Sequence, residues 1–393
     1  MTETDGTANG PGERSAAEVS AAEVSAAGMR AAEVSAAELA AVLGTATTPL
    51  LLDVREPDEF AAWAIPGARN LPLSQLEAGF ERQLASVART APVVVVCASG
   101  IRSARATAML RAVGVDAANL SGGMEAWSGV YDTATAADGP LEIVQVRRRG
   151  KGCLSYVVGG GGAAVVVDPS TDGSRYVDVA CARGWRITGV VDTHLHADHV
   201  SGARALAGEL GVPLYRGPAD TVRYPFEPAG DGTQIPVDAA SALRVLAAPG
   251  HTACSLVLET PGGSLLTGDT LFVDGVGRPD LADHAEHDAR DLHRTLDRLL
   301  AGRDGATAVF PAHYGEQVEV APGVPVSTTL SDVRARVPQL GWDEASFVAW
   351  AAGRAAPRPP RYQEIVRVNT GERQLPLEEC RALELGPNRC AAA

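Results

Sequence analysis

Four apolar runs beyond residue 186 of this chain end in metal-ligand side chains, and any fold it adopts has to make sense of those run ends. ITGVVD leads into THLHADH, SALRVLAAPG into His251, SLVLETPGGSLLTG into Asp269, and ATAVFPA into His313. His194, His196, Asp198 and His199 alone put four ligand-type residues into six positions, so their side chains can converge from one tight loop. Five of the eight histidines occupy these places. A single histidine is usually structural, but a series of them closing successive strand-like runs points to a metal centre. The residues alone leave open whether it holds one ion or two.

An earlier region has a different rhythm. Between Pro49 and Trp127, LLLDV and VVVVC read as buried strands, PDEFAAW opens a helix, and SARATAMLRAVG is a second helical stretch. Strands alternating with helices indicate a parallel sheet with crossovers. VVVVCASGIRSA sets Cys97 where a buried strand ends and a glycine-containing loop leads to a helix, the usual ligand position of such sheets. Loop amides, the helix N-terminus and Arg102 all favour the thiolate there. A cysteine at a strand end is often only a small buried hydrophobe, so neighbouring stretches have to decide.

They do so by resemblance. CASGIRS resembles the active-site loop of rhodanese domains, and LLDVREPDEF, IPGARNLPL and LSGGMEAW match that family's other stretches in order. The resemblance implies that Cys97 carries a persulfide and that Arg102 and the loop amides, including Ser99 and Gly100, bind an anionic sulfur donor. It gives Asp53 and Arg55 a structural role and makes Trp127 a core residue. Ala64 stands where the family often has a histidine, which leaves the cysteine chemistry intact.

The second region, roughly residues 141–345, resembles the metallo-β-lactamase fold, a two-sheet sandwich flanked by helices. In the hydrolase branch of that fold, two zinc ions would use His194, His196 and His251 on one side and Asp198, His199 and His313 on the other, with Asp269 bridging. In persulfide dioxygenases, one Fe(II) per chain would be held by His194, His251 and Asp269 alone. That family's THCHADH, PGHT, TGDTLF and GRTD look like THLHADH, PGHT, TGDTLF and GRPD here, which favours one iron. Arg278 falls where that family places an arginine for the substrate carboxylate. PAHY is one residue shorter than the family's PAHDY, which puts Tyr314 in doubt as a contact to the thiol and leaves the thiol's identity open. Cys254 is expected to be a small packing residue, and His284, His287 and His293 surface residues.

The expected architecture is therefore α/β: a tail over 1–35, a rhodanese-type parallel-sheet domain over 36–135, a metallo-β-lactamase αββα sandwich over 141–355, and a Pro-rich surface tail over 356–393. YDTATAADGP reads as the boundary between the domains. Residues 15–39 repeat every five positions, which rotates successive apolar residues about 140° apart and gives no single helical face.

Composition limits the partners. Acidic residues outnumber basic ones 48 to 34, which argues against nucleic acid; the run Arg147, Arg148, Arg149 and Lys151 reads as a solvated edge. No stretch approaches the roughly 20 apolar residues of a membrane span, and the acidic N-terminus lacks signal-peptide character. A cytoplasmic protein is expected, with persulfide, thiosulfate, sulfite and O2 as small-molecule partners. A homo-oligomer is compatible with all of this. The six scattered cysteines suggest no disulfide framework. A sulfur-carrier protein with a vestigial metal fold is the remaining alternative.

Overall fold

The computed structural model describes residues 32–80, 91–280, 284–315, 318–353, 358, 361–386 and 391–392. The chain divides into two compact units, one ending at Trp127 and the other beginning at Ser128.

In the first unit, β1 (Glu33–Val34), β2 (Leu50–Asp53), β3 (Arg69–Asn70), β4 (Val93–Val96) and β5 (Ala117–Leu120) form an all-parallel sheet in the order β1-β5-β4-β2-β3. All four valines of β4 are buried, which is why it reads as a continuous apolar run instead of an alternating one. The helix Ile101–Ala112 is the crossover from β4 to β5. Arg55 is buried in an ion pair with Asp53 at 2.6 Å and donates to the Trp63 carbonyl; Trp127 is in the core. The expected tail ends earlier than residue 35: Glu33–Val34 pair with β5, and Ser35 and Glu38 form a reciprocal capping box on the helix Ala36–Val42. The rest of the repeat lies outside the described residues.

Among the described residues the second unit contains two large sheets and a two-stranded one in which Val276–Gly277 pairs antiparallel with Ala391–Ala392. β6 (Tyr131–Asp138), β7 (Leu141–Arg148), β8 (Cys153–Gly160), β9 (Ala163–Val167), β10 (Arg186–Val191), β11 (Leu214–Arg216) and β12 (Glu227–Pro228) form the first, in reverse sequence order. β13 (Gln234–Pro236), β14 (Ala242–Ala247), β15 (Leu256–Glu259) and β16 (Leu265–Gly268) continue into the second, which passes over β17 (Val276–Gly277) to β18 (Ala308–Pro311) and β19 (Thr328–Thr329). Successive strand residues face opposite ways. Ile143, Val158 and Val165 accordingly join Leu243, Val245 and Leu256 between the sheets, while Val144, Val157 and Val166 pack on Tyr176, Ala180 and Leu206 of the outer helices Ser174–Cys181 and Ala203–Leu210. On the other side the helices Ala285–Leu300, Leu330–Arg336 and Glu344–Gly353 cover the second sheet. This is the αββα sandwich.

Register brings the run ends together. β14 and β16 each run antiparallel to β15, and β16 runs parallel to β18. All three strands therefore end at one edge, where His251, Asp269 and His313 follow.

Three expectations need correction. The small, polar stretch expected as the domain boundary is the eight-residue edge strand β6, paired along its whole length with β7 inside the second unit, which begins at Ser128. Three of the four residues of the basic run are buried: Arg147 pairs with Asp132 at 2.6 Å, Arg148 with Glu384 at 2.6 Å, and Lys151 donates to the Glu384 carbonyl. The presumed surface tail contains the helices Tyr362–Asn369 and Leu377–Leu383, whose Ile365 and Cys380 pack on Val200 beside the histidine-rich loop. Among the described residues no helix is long and apolar enough to cross a membrane.

Candidate active sites

Cys97 lies just past β4, buried, with its sulfur facing the start of the next helix. The Gly100 amide and the Ser103 hydroxyl both donate to Sγ at 3.2 Å. Burial works to raise the thiol's pKa, but the Ser103 hydroxyl and the amides of Ser103, Ser99 and Gly100 outweigh it and hold the pKa below the usual value. The loop is fastened by the LSGG turn: Met124 N–H donates to the Cys97 carbonyl at 2.8 Å and Glu125 N–H to that of Ala98 at 3.0 Å. Gly123 has φ +54, and a Cβ there would sit 2.2 Å from the Cys97 carbonyl oxygen, so the turn requires glycine. Ser99 is exposed. Arg102 makes a two-pronged ion pair with Glu59, both contacts 2.7 Å, with about a third of each side chain exposed. Ser103, in the first turn of the helix Ile101–Ala112, was missed by sequence reasoning.

In the second unit the nominated ligands fall into three buried groups, within each of which the ligand atoms lie within 4.8 Å of one another. The first is His194, His251 and Asp269. Asp269 Oδ2 is 3.6 Å from His194 Nε2 and 3.4 Å from His251 Nε2. The other ring nitrogens are already engaged, His194 Nδ1 with Thr193 Oγ1 and His251 Nδ1 with the Arg278 carbonyl, each at 2.9 Å. Both Nε2 atoms are thereby oriented toward the carboxylate. Burial holds both imidazoles below their usual pKa, His194 furthest. Burial would raise Asp269, but His313 and His194 hold it below the usual carboxylate range.

The second group is Cys153, Asp198, His199 and His313; the third is Asp168, Asp192 and His196. His196 Nε2 lies 3.2 Å from Asp168 and 3.7 Å from Asp192. Burial opposes its protonation, yet the charges and hydrogen bonds of the two aspartates push its pKa up to about 10. Its Nδ1 is buried without a partner, as are His194 Nε2, His313 Nε2 and Asp269 Oδ2. An unpaired buried polar atom costs about 1–3 kcal/mol, and four of them in one loop cluster is the arrangement a bound cation would relieve. The donor set fits a metal.

Two features hold this cluster that sequence reasoning did not find. Asp168, at φ +52, accepts from Thr193 N–H at 2.7 Å and Thr193 Oγ1 at 2.8 Å; strained backbone at a site is maintained by such bonds. Its signal was available, since VVVD, like the ligand runs, is an apolar run closed by an aspartate. The second feature is the C-terminal segment. Asn369 Nδ2 donates to the carbonyls of His196 and His199 at 2.9 and 2.8 Å, its Oδ1 accepts from Ser201 N–H at 2.9 Å, and Glu384 accepts from Val200 N–H at 2.5 Å.

The two expected substrate contacts are both near the cluster. Arg278 is buried with its guanidinium on Asp280, at 2.6 and 2.7 Å. Tyr314 N–H donates to the Gly152 carbonyl beside Cys153, and burial pushes its phenol up to about 12. Cys254 is buried as expected, which raises its thiol. His293 is not a surface residue: it is buried against Phe347, with Nε2 3.0 Å from the Trp342 carbonyl. His287 is exposed as expected.

Comparison with known proteins follows this division. Residues 35–129 match the family described as Rhodanese-like domain, and residues 148–313 match the Metallo-beta-lactamase superfamily. A hydroxyacylglutathione hydrolase of Anaeromyxobacter dehalogenans is 35% identical over 198 residues, covering 50% of this chain and 75% of that one. A metallo-beta-lactamase from Staphylococcus aureus superposes with TM-score 0.52 at 25% identity, covering 61% of this chain and 72% of its own. ETHE1 from Myxococcus xanthus superposes with TM-score 0.51 at 23% identity, covering 61% and 98%.

Proposed function

Because the chain belongs to the metallo-beta-lactamase superfamily and has a rhodanese-like domain ahead of that region, we propose that it is a persulfide dioxygenase coupled to sulfur transfer. The reaction is RSSH + O2 + H2O → RSH + SO3²⁻ + 2H⁺, with a low-molecular-weight thiol persulfide such as that of glutathione as substrate. The observation that carries this reading is the convergence of His194 Nε2, His251 Nε2 and Asp269 Oδ2, two histidines and one carboxylate. An Fe(II) ion held there would leave positions open for substrate and dioxygen and supply the oxygen chemistry.

The remaining work falls to the chain's own groups. Burial keeps His194 and His251 neutral, so their lone pairs stay available, and Asp269 supplies the negative charge. Thr193 and the Arg278 carbonyl fix the imidazole orientations. Cys97, with its thiolate favoured, attacks the outer sulfur of thiosulfate. The S–S bond breaks, sulfite leaves with its electron pair, and Cys97 retains the sulfur as a persulfide. Arg102 would shift from Glu59 to meet the incoming anion.

A second reading is a two-zinc hydrolase acting on a hydroxyacylglutathione thioester. The second ligand group and the 35% identity to a hydroxyacylglutathione hydrolase favour it. One sample separates the two. Iron-loaded protein given glutathione persulfide is expected to consume dioxygen and release one sulfite per dioxygen. Oxygen-independent thioester cleavage without such uptake overturns the dioxygenase.

A further inference from the structure

Sulfur transfer from thiosulfate needs two things of a site: a thiolate to attack the outer sulfur, and a cation to hold the sulfite dianion that departs. Cys97 meets the first. The arginine of its loop is already engaged elsewhere. Arg102 Nη1 and Nη2 each lie 2.7 Å from a different oxygen of Glu59, a two-pronged pair. Glu59 is fixed in turn by its own helix, Pro57–Ala62, since its Oε2 also accepts from Glu56 N–H at 3.1 Å. The hydrogen bonds from Arg102 hold the Glu59 carboxyl down to about 2, so the charge that cancels the guanidinium persists at every working pH. Glu56 is a second carboxylate acting on Arg102. Two other guanidiniums of this unit are paired as well, Arg55 with Asp53 at 2.6 Å and Arg105 with Glu77 at 2.9 Å.

A thiol persulfide makes a smaller demand. The Cys97 thiolate attacks its outer sulfur, the S–S bond breaks, and the departing thiolate takes the persulfide proton and leaves as RSH. The transferred sulfur stays on Cys97 as a persulfide anion, and no dianion has to be held. Ile101, between Gly100 and Arg102 in the same loop, is 77% exposed. It offers apolar surface to the carbons of a thiol, which thiosulfate lacks.

We infer that Glu59 is a specificity-determining residue of the sulfur-transfer site: by occupying Arg102 it disfavours thiosulfate and leaves a thiol persulfide as the preferred sulfur donor to Cys97. The inference rests on the sulfur transfer at Cys97 proposed above and names its donor class.

The test is single-turnover loading of the reduced full chain, without dioxygen so that the persulfide is not oxidised, read by mass spectrometry of the Cys97 peptide as donor concentration is varied. Wild type is expected to load from glutathione persulfide more efficiently than from thiosulfate. Glu59→Gln removes the charge and keeps an acceptor for Glu56 N–H. It should lower the apparent Kd for thiosulfate by about fivefold, the scale of one part-exposed ion pair, and change that for the persulfide less. Equal efficiency of the two donors in wild type overturns the inference without any variant, and so does a donor ratio that Glu59→Gln leaves unchanged or moves toward the persulfide. Failure of both donors to load wild-type Cys97 overturns the sulfur transfer itself.

Discussion

The cysteine loop and the metal cluster solve the same problem, holding reactive atoms in place, by opposite means. Around Cys97 the donors come from residues 99, 100 and 103, and one glycine turn fastens the loop from below. Around His194 the atoms come from the ends of β9, β10, β14, β16 and β18 and from helices more than 160 residues further along the chain. A site built from backbone amides within one turn tolerates change elsewhere. A site assembled from strand ends depends on the register of a whole sandwich.

The largest expected effects test whether the two sites work separately. Cys97→Ser should lower sulfur transfer by at least roughly a thousandfold, the scale seen when a nucleophile is removed, and leave dioxygen uptake unchanged. Asp269→Ala should abolish metal binding at the first group and dioxygen uptake, and leave thiosulfate sulfur transfer unchanged. Parallel assays of both activities on both folded variants check this. Equal loss of both activities in either variant breaks the comparison.

The next effect tests the long-range support of the metal cluster. Asn369→Ala removes three hydrogen bonds from the loop carrying His196 and His199 and leaves two buried carbonyls without that donor. Metal affinity should fall about 10–100-fold, the usual cost of losing a group that orients ligands, with sulfur transfer unaffected. Competition with a chromophoric chelator measures it. Unchanged affinity would mean that the strand ends suffice to shape the loop.

These residues also mark how far the sequence could be read. The ligands were legible because each closes an apolar run, and the cysteine loop because its contacts are local and contiguous. β6 was not legible: small and polar residues such as YDTATAAD look like a domain boundary until the full length of β7 is seen to need a partner. The basic run misled because Arg148 and Glu384 are 236 positions apart, and charge alone cannot show that a distant carboxylate will bury it. Asn369 carries no local signal at all, since an asparagine near a helix end reads as a cap.

The smallest effect concerns the cysteine loop and turns on the sign of one pKa shift. The Cys97 thiol is held below its usual pKa despite burial, chiefly by the Ser103 hydroxyl. A lowered pKa means that the thiolate, the attacking form, persists to lower pH. Ser103→Ala leaves the amides of Ser99 and Gly100 in place but removes the largest lowering contribution, so the pKa should move up. At neutral pH sulfur transfer should fall several-fold, and the loss should close as the pH rises past the new pKa. The acid limb of the pH–rate profile for thiosulfate, measured beside wild type, checks the shift. A loss that is the same at every pH would mean that Ser103 positions the loop without tuning the sulfur, making this local site as dependent on packing as the metal cluster.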